Sequence, residues 1–144
     1  MLRKEVIVDT NALLIPGEFG VDIFEELERL GYERVIVPKA VLKELDRLRH
    51  RADLKGKEKR AANIGYSLVL KYMWGCGAPL HRCKVIINEE EEGRGRNADE
   101  IIAELALKKK AAVLTNDEPL MRKLLKSGVV TVYLRGENRL EEYK

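Results

Sequence analysis

Short apolar runs alternate with amphipathic stretches along this chain. Val6–Val8, Val35–Val37, Val85–Ile87, Ala112–Leu114 and Val129–Leu134 are brief and mostly β-branched. They lack a polar face, as strands buried on both sides do. The stretches between them follow a helical period. "DIFEELERLGYE" puts Ile23, Phe24, Leu27 and Leu30 on one face and ends at Gly31. "PKAVLKELDRLRH" opens on Pro38 and repeats Val41, Leu42, Leu45 and Leu48. Residues 57–73 predict a third helix. "NADEIIAELALKKK" places Glu100 three residues after Asn97, a capping-box spacing, and ends on three lysines that suit a helix C-terminus. "EPLMRKLLKSG" is a short helix closed by Gly128. Strand and helix in alternation predict an α/β fold, a three-layer αβα sandwich around a parallel sheet. The connection "WGCGAPLHRC" and the tail after Gly136 carry no clear period. No repeat or long linker divides the 144 residues, so 1–144 reads as a single domain.

Composition adds three constraints. Charged residues make up 35% of the chain and Gln is absent, a habit of heat-adapted cytosolic proteins. There is no apolar run of membrane-spanning length and no signal-peptide pattern, which makes a cytoplasmic protein without membrane partners the expectation. Cys76, His81 and Cys83 supply three soft donors where a structural zinc site usually needs four, so the two cysteines read as ordinary cytosolic thiols, with a disulfide between them the alternative in a hyperthermophile. The net charge of +3 decides nothing about nucleic acid; its distribution must.

Ligands of open parallel sheets bind beyond the carboxyl ends of the strands. Asp9, Thr10 and Asn11 follow the first strand; Thr115, Asn116 and Asp117 follow the fourth. Glu44 lies in the second turn of the helix after the second strand, and Asp99 in the first turn of the helix capped by Asn97. Singly, these acids have ordinary structural roles: Asp99 complements a helix dipole, Asp117 caps a helix, Glu44 is a solvated charge. Asp9 is harder to explain, because a carboxylate at the tip of a core strand needs a partner. At about 5 Å and an effective dielectric near 20, each like pair of such acids costs roughly 3 kcal/mol. Four of them together call for cations or protons between them. Hard oxygen donors without His or Cys suit Mg²⁺ or Mn²⁺.

"VIVDTNALL", "VPKAVLKELDRL", "NADEIIAELAL" and "AVLTNDEPLMRKL" resemble, in order and spacing, the acidic motifs of PIN-domain nucleases. The resemblance runs from Val6 to about Leu134. It implies an αβα sandwich and a Mg²⁺- or Mn²⁺-dependent endoribonuclease. It also implies that Asp9, Glu44, Asp99 and Asp117 are the catalytic, metal-binding acids, with Asn11 and Thr115 orienting them. Two branches of the family are relevant: toxins of toxin–antitoxin pairs of the VapC type, silenced by a small antitoxin, and enzymes that process ribosomal precursor RNA. The C-terminal stretch looks more like archaeal proteins near the processing branch, so RNA and a ribosome-biogenesis or antitoxin partner are the implied associates. Family members often dimerise, and apolar residues near Trp74 would supply the interface.

Residues 47–60 hold seven cations against two acids, directly after Glu44. Arg47, Arg49, Arg51, Lys55 and Lys57, with Arg94 and Arg96 ahead of Asp99, are the candidate phosphate contacts. A solvated helical hairpin accounts for the run equally well, and Glu89–Glu92 would repel nucleic acid. Three other classes compete. A haloacid-dehalogenase-like phosphatase needs a second acid two residues after the first, where Asn11 stands. A response-regulator receiver needs a paired acid at the first strand. A non-catalytic RNA-binding scaffold would keep RNA affinity without Asp9.

Overall fold

The computed structural model describes residues 4–53, 56–73, 84–89 and 97–143. Lys55, Trp74, Cys76, His81, Cys83, Arg94 and Arg96, singled out above, lie outside them, as do three of the four glutamates of the acidic run. The elements are β1 (Glu5–Val8), α1 (Thr10–Phe19), α2 (Ile23–Arg29), β2 (Arg34–Pro38), α3 (Lys39–His50) and α4 (Gly56–Met73). They continue with β3 (Lys84–Asn88), α5 (Ala98–Lys109), β4 (Ala112–Leu114), α6 (Glu118–Lys126), β5 (Thr131–Arg135) and β6 (Arg139–Tyr143). Among these residues six strands form one sheet in the order β3-β2-β1-β4-β5-β6. All neighbours are parallel except β5 and β6. None of the described helices is long and apolar enough to cross a membrane.

The chain leaves β1 toward β2 and β3 on one side and returns to β4 and β5 on the other. That reversal makes the carboxyl ends of β1 and β4 the topological switch point. β1 is central, and Val6, Ile7 and Val8 are fully buried. The register pairs Val8 with Leu114. Asp9 and Thr115, each one residue further on, therefore emerge side by side.

Two elements differ from the sequence expectation. α1 is a helix where only the end of a strand was legible. Pro16 and Gly17 interrupt the stretch, and Thr10, Ala12, Leu13, Ile15 and Pro16 are all buried, so no polar face marks its period. Asp9 caps its start, and Gly20 ends it in the left-handed region at φ 70°. α1 lies against α4 at a very close crossing: a Cβ added to Gly65 would stand 2.1 Å from the Leu13 carbonyl oxygen, and one added to Gly17 2.4 Å from the Ala61 Cα. α4 also packs against α3, so the helices that carry Asp9 and Glu44 share one support.

The second is β6, which turns the C-terminal tail into an antiparallel edge strand. Its sequence, Arg-Leu-Glu-Glu-Tyr, buries only Leu140 fully and so lacks a strand period. Side chains of α2 cover its outer edge. Glu26 Oε1 accepts from the Leu140 N–H at 3.0 Å, and Arg29 Nη2 donates to the Leu140 carbonyl at 2.9 Å. Arg29 also forks onto Glu26, which holds the Glu26 carboxyl below its ordinary range. Exposed strand edges template association. Glu26→Ala is expected to cost about 1–2 kcal/mol and to expose this edge. The urea midpoint would fall, and light scattering would show self-association at high concentration.

Candidate active site

Asp9 is the N-cap of α1 and only 4% exposed. Its Oδ1 accepts from the Ala12 N–H at 2.7 Å, and its Oδ2 accepts from the Thr115 hydroxyl. Thr115, fully buried, also accepts from the Asp117 N–H at 3.0 Å. Asp117 in turn caps α6, its Oδ1 accepting from the Leu120 N–H at 3.2 Å. Asn116 Oδ1 takes the Leu134 N–H at 3.1 Å and ties this turn to β5. Local capping thus fixes both strand-end acids.

Burial nevertheless pushes the Asp9 carboxyl up to about 6. The Thr115 and Ala12 hydrogen bonds act against that rise, and the charges of Asp99 and Asp117 add to it. Asp99, in the first turn of α5 and still open to solvent, is also raised, by partial desolvation at the cavity first and then by Asp117 and Glu44; Lys123 acts in the opposite sense. Asn97 caps α5 as its spacing predicts, accepting from the Glu100 N–H at 2.9 Å.

Glu44, half-buried on α3, accepts a hydrogen bond from the Thr10 hydroxyl. Asp9, Thr10, Asn11, Glu44, Leu48, Ala98, Asp99 and Asp117 line one cavity of about 260 Å³. The four acids come from four separate elements and meet at the switch point. Among the described residues no three His, Cys, Asp or Glu side chains stand close enough to grip one ion as placed. The donors themselves, carboxylate oxygens throughout, suit a hard divalent cation. Asp99 has no hydrogen bond among the described residues and is the acid freest to turn inward.

Asn11 lines the cavity, exposed, and hydrogen-bonds none of the acids. The hydroxyl beside it, on Thr10, does, and the sequence reading passed over it. Recognising Asp9 as a helix cap would have brought Thr10 into view as the first residue of α1.

The cationic candidates divide by helix face. Arg47 follows Glu44 by three residues, on its side of α3, whereas Arg51 is the extended C-cap residue beyond the helix. Arg47 is exposed; Arg51 forks onto Asp53 at 3.0 and 2.6 Å. Arg49 turns toward α4, where it lies over the Tyr66 ring at 4.0 Å and donates to Asp46 at 2.7 Å. Lys57 is exposed in the first turn of α4.

Residues 6–137 match the family described as PIN like domain. The chain belongs to that family. This PIN-like domain is 28% identical over 134 residues to Ribonuclease VapC9 of Archaeoglobus fulgidus, covering 93% of this chain and 85% of that one. It is 25% identical over 139 residues to Ribonuclease VapC4 of Methanocaldococcus jannaschii, covering 95% of each. Among solved structures it resembles the PIN domain endonuclease Utp24, with a TM-score of 0.66, 20% identity and coverage of 96% and 90%. It also resembles a domain of a functionally unknown protein from Methanocaldococcus jannaschii, with a TM-score of 0.62, 22% identity and 92% coverage of both. At those identities the structural likeness bears on the fold alone: an αβα sandwich with a mostly parallel sheet, here closed by an antiparallel sixth strand.

Proposed function

We propose that this PIN-like domain is a Mg²⁺- or Mn²⁺-dependent endoribonuclease. The observation that carries the reading is the convergence of Asp9, Glu44, Asp99 and Asp117 on one cavity at the switch point of the sheet. Buried Asp9 and the raised carboxyl of Asp99 have a physical reason to welcome a cation, which would relieve both their desolvation and their mutual repulsion. Bound among these acids, such an ion supplies an activated water and neutralises charge on the scissile phosphate.

The chain's own residues do the rest. Thr115 and the Ala12 N–H orient Asp9; the Leu120 N–H orients Asp117. Arg47, exposed on the Glu44 side of α3, and Lys57 serve as contacts for the RNA backbone, with Lys55, Arg94 and Arg96 assigned the same role from the sequence; Arg51 is engaged by Asp53 and joins them only on releasing it. Arg49 has its charge engaged by Asp46 and Tyr66 and serves the α3–α4 packing first. The names of the two archaeal relatives, both VapC ribonucleases, favour a toxin-type ribonuclease over a processing enzyme. The partners this reading implies are RNA, a second copy and a small antitoxin protein.

The test is cleavage of a structured RNA pool and a matched single-stranded DNA by the purified protein, with Mg²⁺, with Mn²⁺ and with EDTA. RNA cuts that need either metal support the reading. RNA binding without cuts under any metal would instead make the protein a scaffold. Cuts that persist in EDTA would remove the metal from the reaction.

A further inference from the structure

Asp9 and Thr10 are neighbours in sequence whose side chains serve opposite walls of the cavity. Asp9 is held by Thr115, beyond β4 on one side of β1. Thr10 donates to Glu44, on the helix that follows β2 on the other side. One dipeptide therefore joins three of the four acids into a continuous frame: Glu44 to Thr10, Thr10 to Asp9 through the backbone, Asp9 to Thr115, and Thr115 to the Asp117 N–H.

Thr10 is 8% exposed, so its hydroxyl must find a partner within the protein. Inside a helix a Thr hydroxyl commonly bonds a backbone carbonyl of the preceding turn. As the first residue of α1, Thr10 has no preceding turn, and its hydroxyl crosses instead to α3. Its bond engages Glu44 Oε1 and leaves Oε2 without a hydrogen bond among the described residues.

We infer that Thr10 is a positioning residue, whose hydroxyl holds Glu44 so that the free carboxylate oxygen is presented to the divalent cation. The inference rests on the metal-dependent reading above. A glutamate has several rotatable bonds, and fixing them in advance removes ordering that ion binding would otherwise require. Partners that orient a metal ligand in this way commonly change affinity by about 10- to 100-fold.

The test is a titration of the intact protein with Mn²⁺ alone, without RNA, by calorimetry or by the resonance signal of free Mn²⁺. Thr10→Val keeps the volume and removes the hydroxyl; Thr10→Ser keeps the hydroxyl. Thr10→Val is expected to weaken Mn²⁺ binding by about 10-fold, with Thr10→Ser staying within about 3-fold of the original. In a Glu44→Gln background Thr10→Val is expected to add nothing further, because it acts through Glu44. Circular dichroism of each variant without metal establishes that the comparison is between folded proteins, and Thr10→Ala, which also lacks the hydroxyl, takes the place of Thr10→Val in every comparison should the Val variant unfold. Equal Mn²⁺ affinity for Val and the original, equal weakening by Ser and Val, or a full additional loss in the Glu44→Gln background would each overturn the role of Thr10. Failure of the unmodified protein to bind Mn²⁺ would overturn the metal-dependent reading itself, and is seen before any variant is made.

Discussion

Asp9→Asn is expected to lower RNA cleavage at least about 10³-fold, a barrier increase of about 4 kcal/mol, while making the metal-free protein more stable. The two effects have one cause. Asn has the shape of Asp, keeps the acceptor for the Ala12 N–H at the start of α1, and places an amide opposite Thr115. What it removes is the negative charge. On the function proposed above that charge would ligate the cation; with no cation bound it is a burden. With the carboxyl raised from 3.8 to about 6, ionising it in the folded protein costs about 3 kcal/mol more than in the unfolded chain. Thr115 accepts from the new amide but loses the acceptor for its own proton, which takes back about 1 kcal/mol. The net gain near neutral pH is then about 1–2 kcal/mol.

The sign of the pH dependence follows. Asp9 is raised in the folded state, so the folded protein binds the proton more tightly than the unfolded chain does. The contribution of this group to stability is complete below about 4 and is lost as pH rises through about 6. Glu26, with its lowered carboxyl, slopes the other way. The informative quantity is therefore the difference between the urea-unfolding free energies of the two proteins in EDTA across pH 3.5 to 7.5. It is expected to grow in favour of Asp9→Asn between about 4 and 6. A flat difference would remove burial as the reason for the raised carboxyl. Adding Mg²⁺ or Mn²⁺ is expected to reverse the order, by raising the melting temperature of the original protein more than that of the variant.

What was legible in the sequence was whatever a local pattern could encode. The β-branched runs mark β1, β2, β3 and β4 because a strand buried on both faces needs no polar positions. α3 and α6 are legible from their apolar stripes, and α5 from Asn97 and its lysines. The four acids stand out because strand ends and the first two turns of the helices that follow them are places that sequence can locate. α1 escaped because its period is hidden by burial nearly all round and by Pro16. The roles of Thr10 and Arg49 escaped for a different reason. A hydroxyl or a guanidinium takes whatever partner the packing of helices brings near, and Glu44 and Tyr66 lie 34 and 17 residues away from them. Charge density along residues 47–60 could not tell an exposed arginine such as Arg47 from one locked against α4, as Arg49 is.

Gly65→Ala is expected to destabilise the protein by about 3 kcal/mol, although Ala favours a helix over Gly by about 1 kcal/mol. The new Cβ would stand 2.1 Å from the Leu13 carbonyl oxygen and 3.1 Å from its carbon. Both are backbone atoms, so no rotamer change relieves the contact; α1 and α4 must move apart. Separation then weakens packing along the whole crossing, because dispersion contacts fade within an ångström. At this chain length the loss corresponds to roughly 10 °C in melting temperature. Gly56→Ala is the control, since it makes the same substitution in the same helix, where nothing lies within 4 Å of the added carbon, and it is expected to change stability by less than about 0.5 kcal/mol. The consequence reaches the cavity. α1 is capped by Asp9 and begins at Thr10, while Glu44 sits on α3, against the same α4. Shifting α1 off α4 strains the Thr10–Glu44 bond, and geometric errors near 1 Å cost about 10²-fold in rate. Gly65→Ala is therefore expected to cut RNA more slowly than its folded fraction accounts for, at a temperature where it is still folded, with Mn²⁺ affinity reduced in parallel. An unchanged melting temperature, or a rate that simply tracks the folded fraction, would show that the two helices can part without disturbing the acids between them.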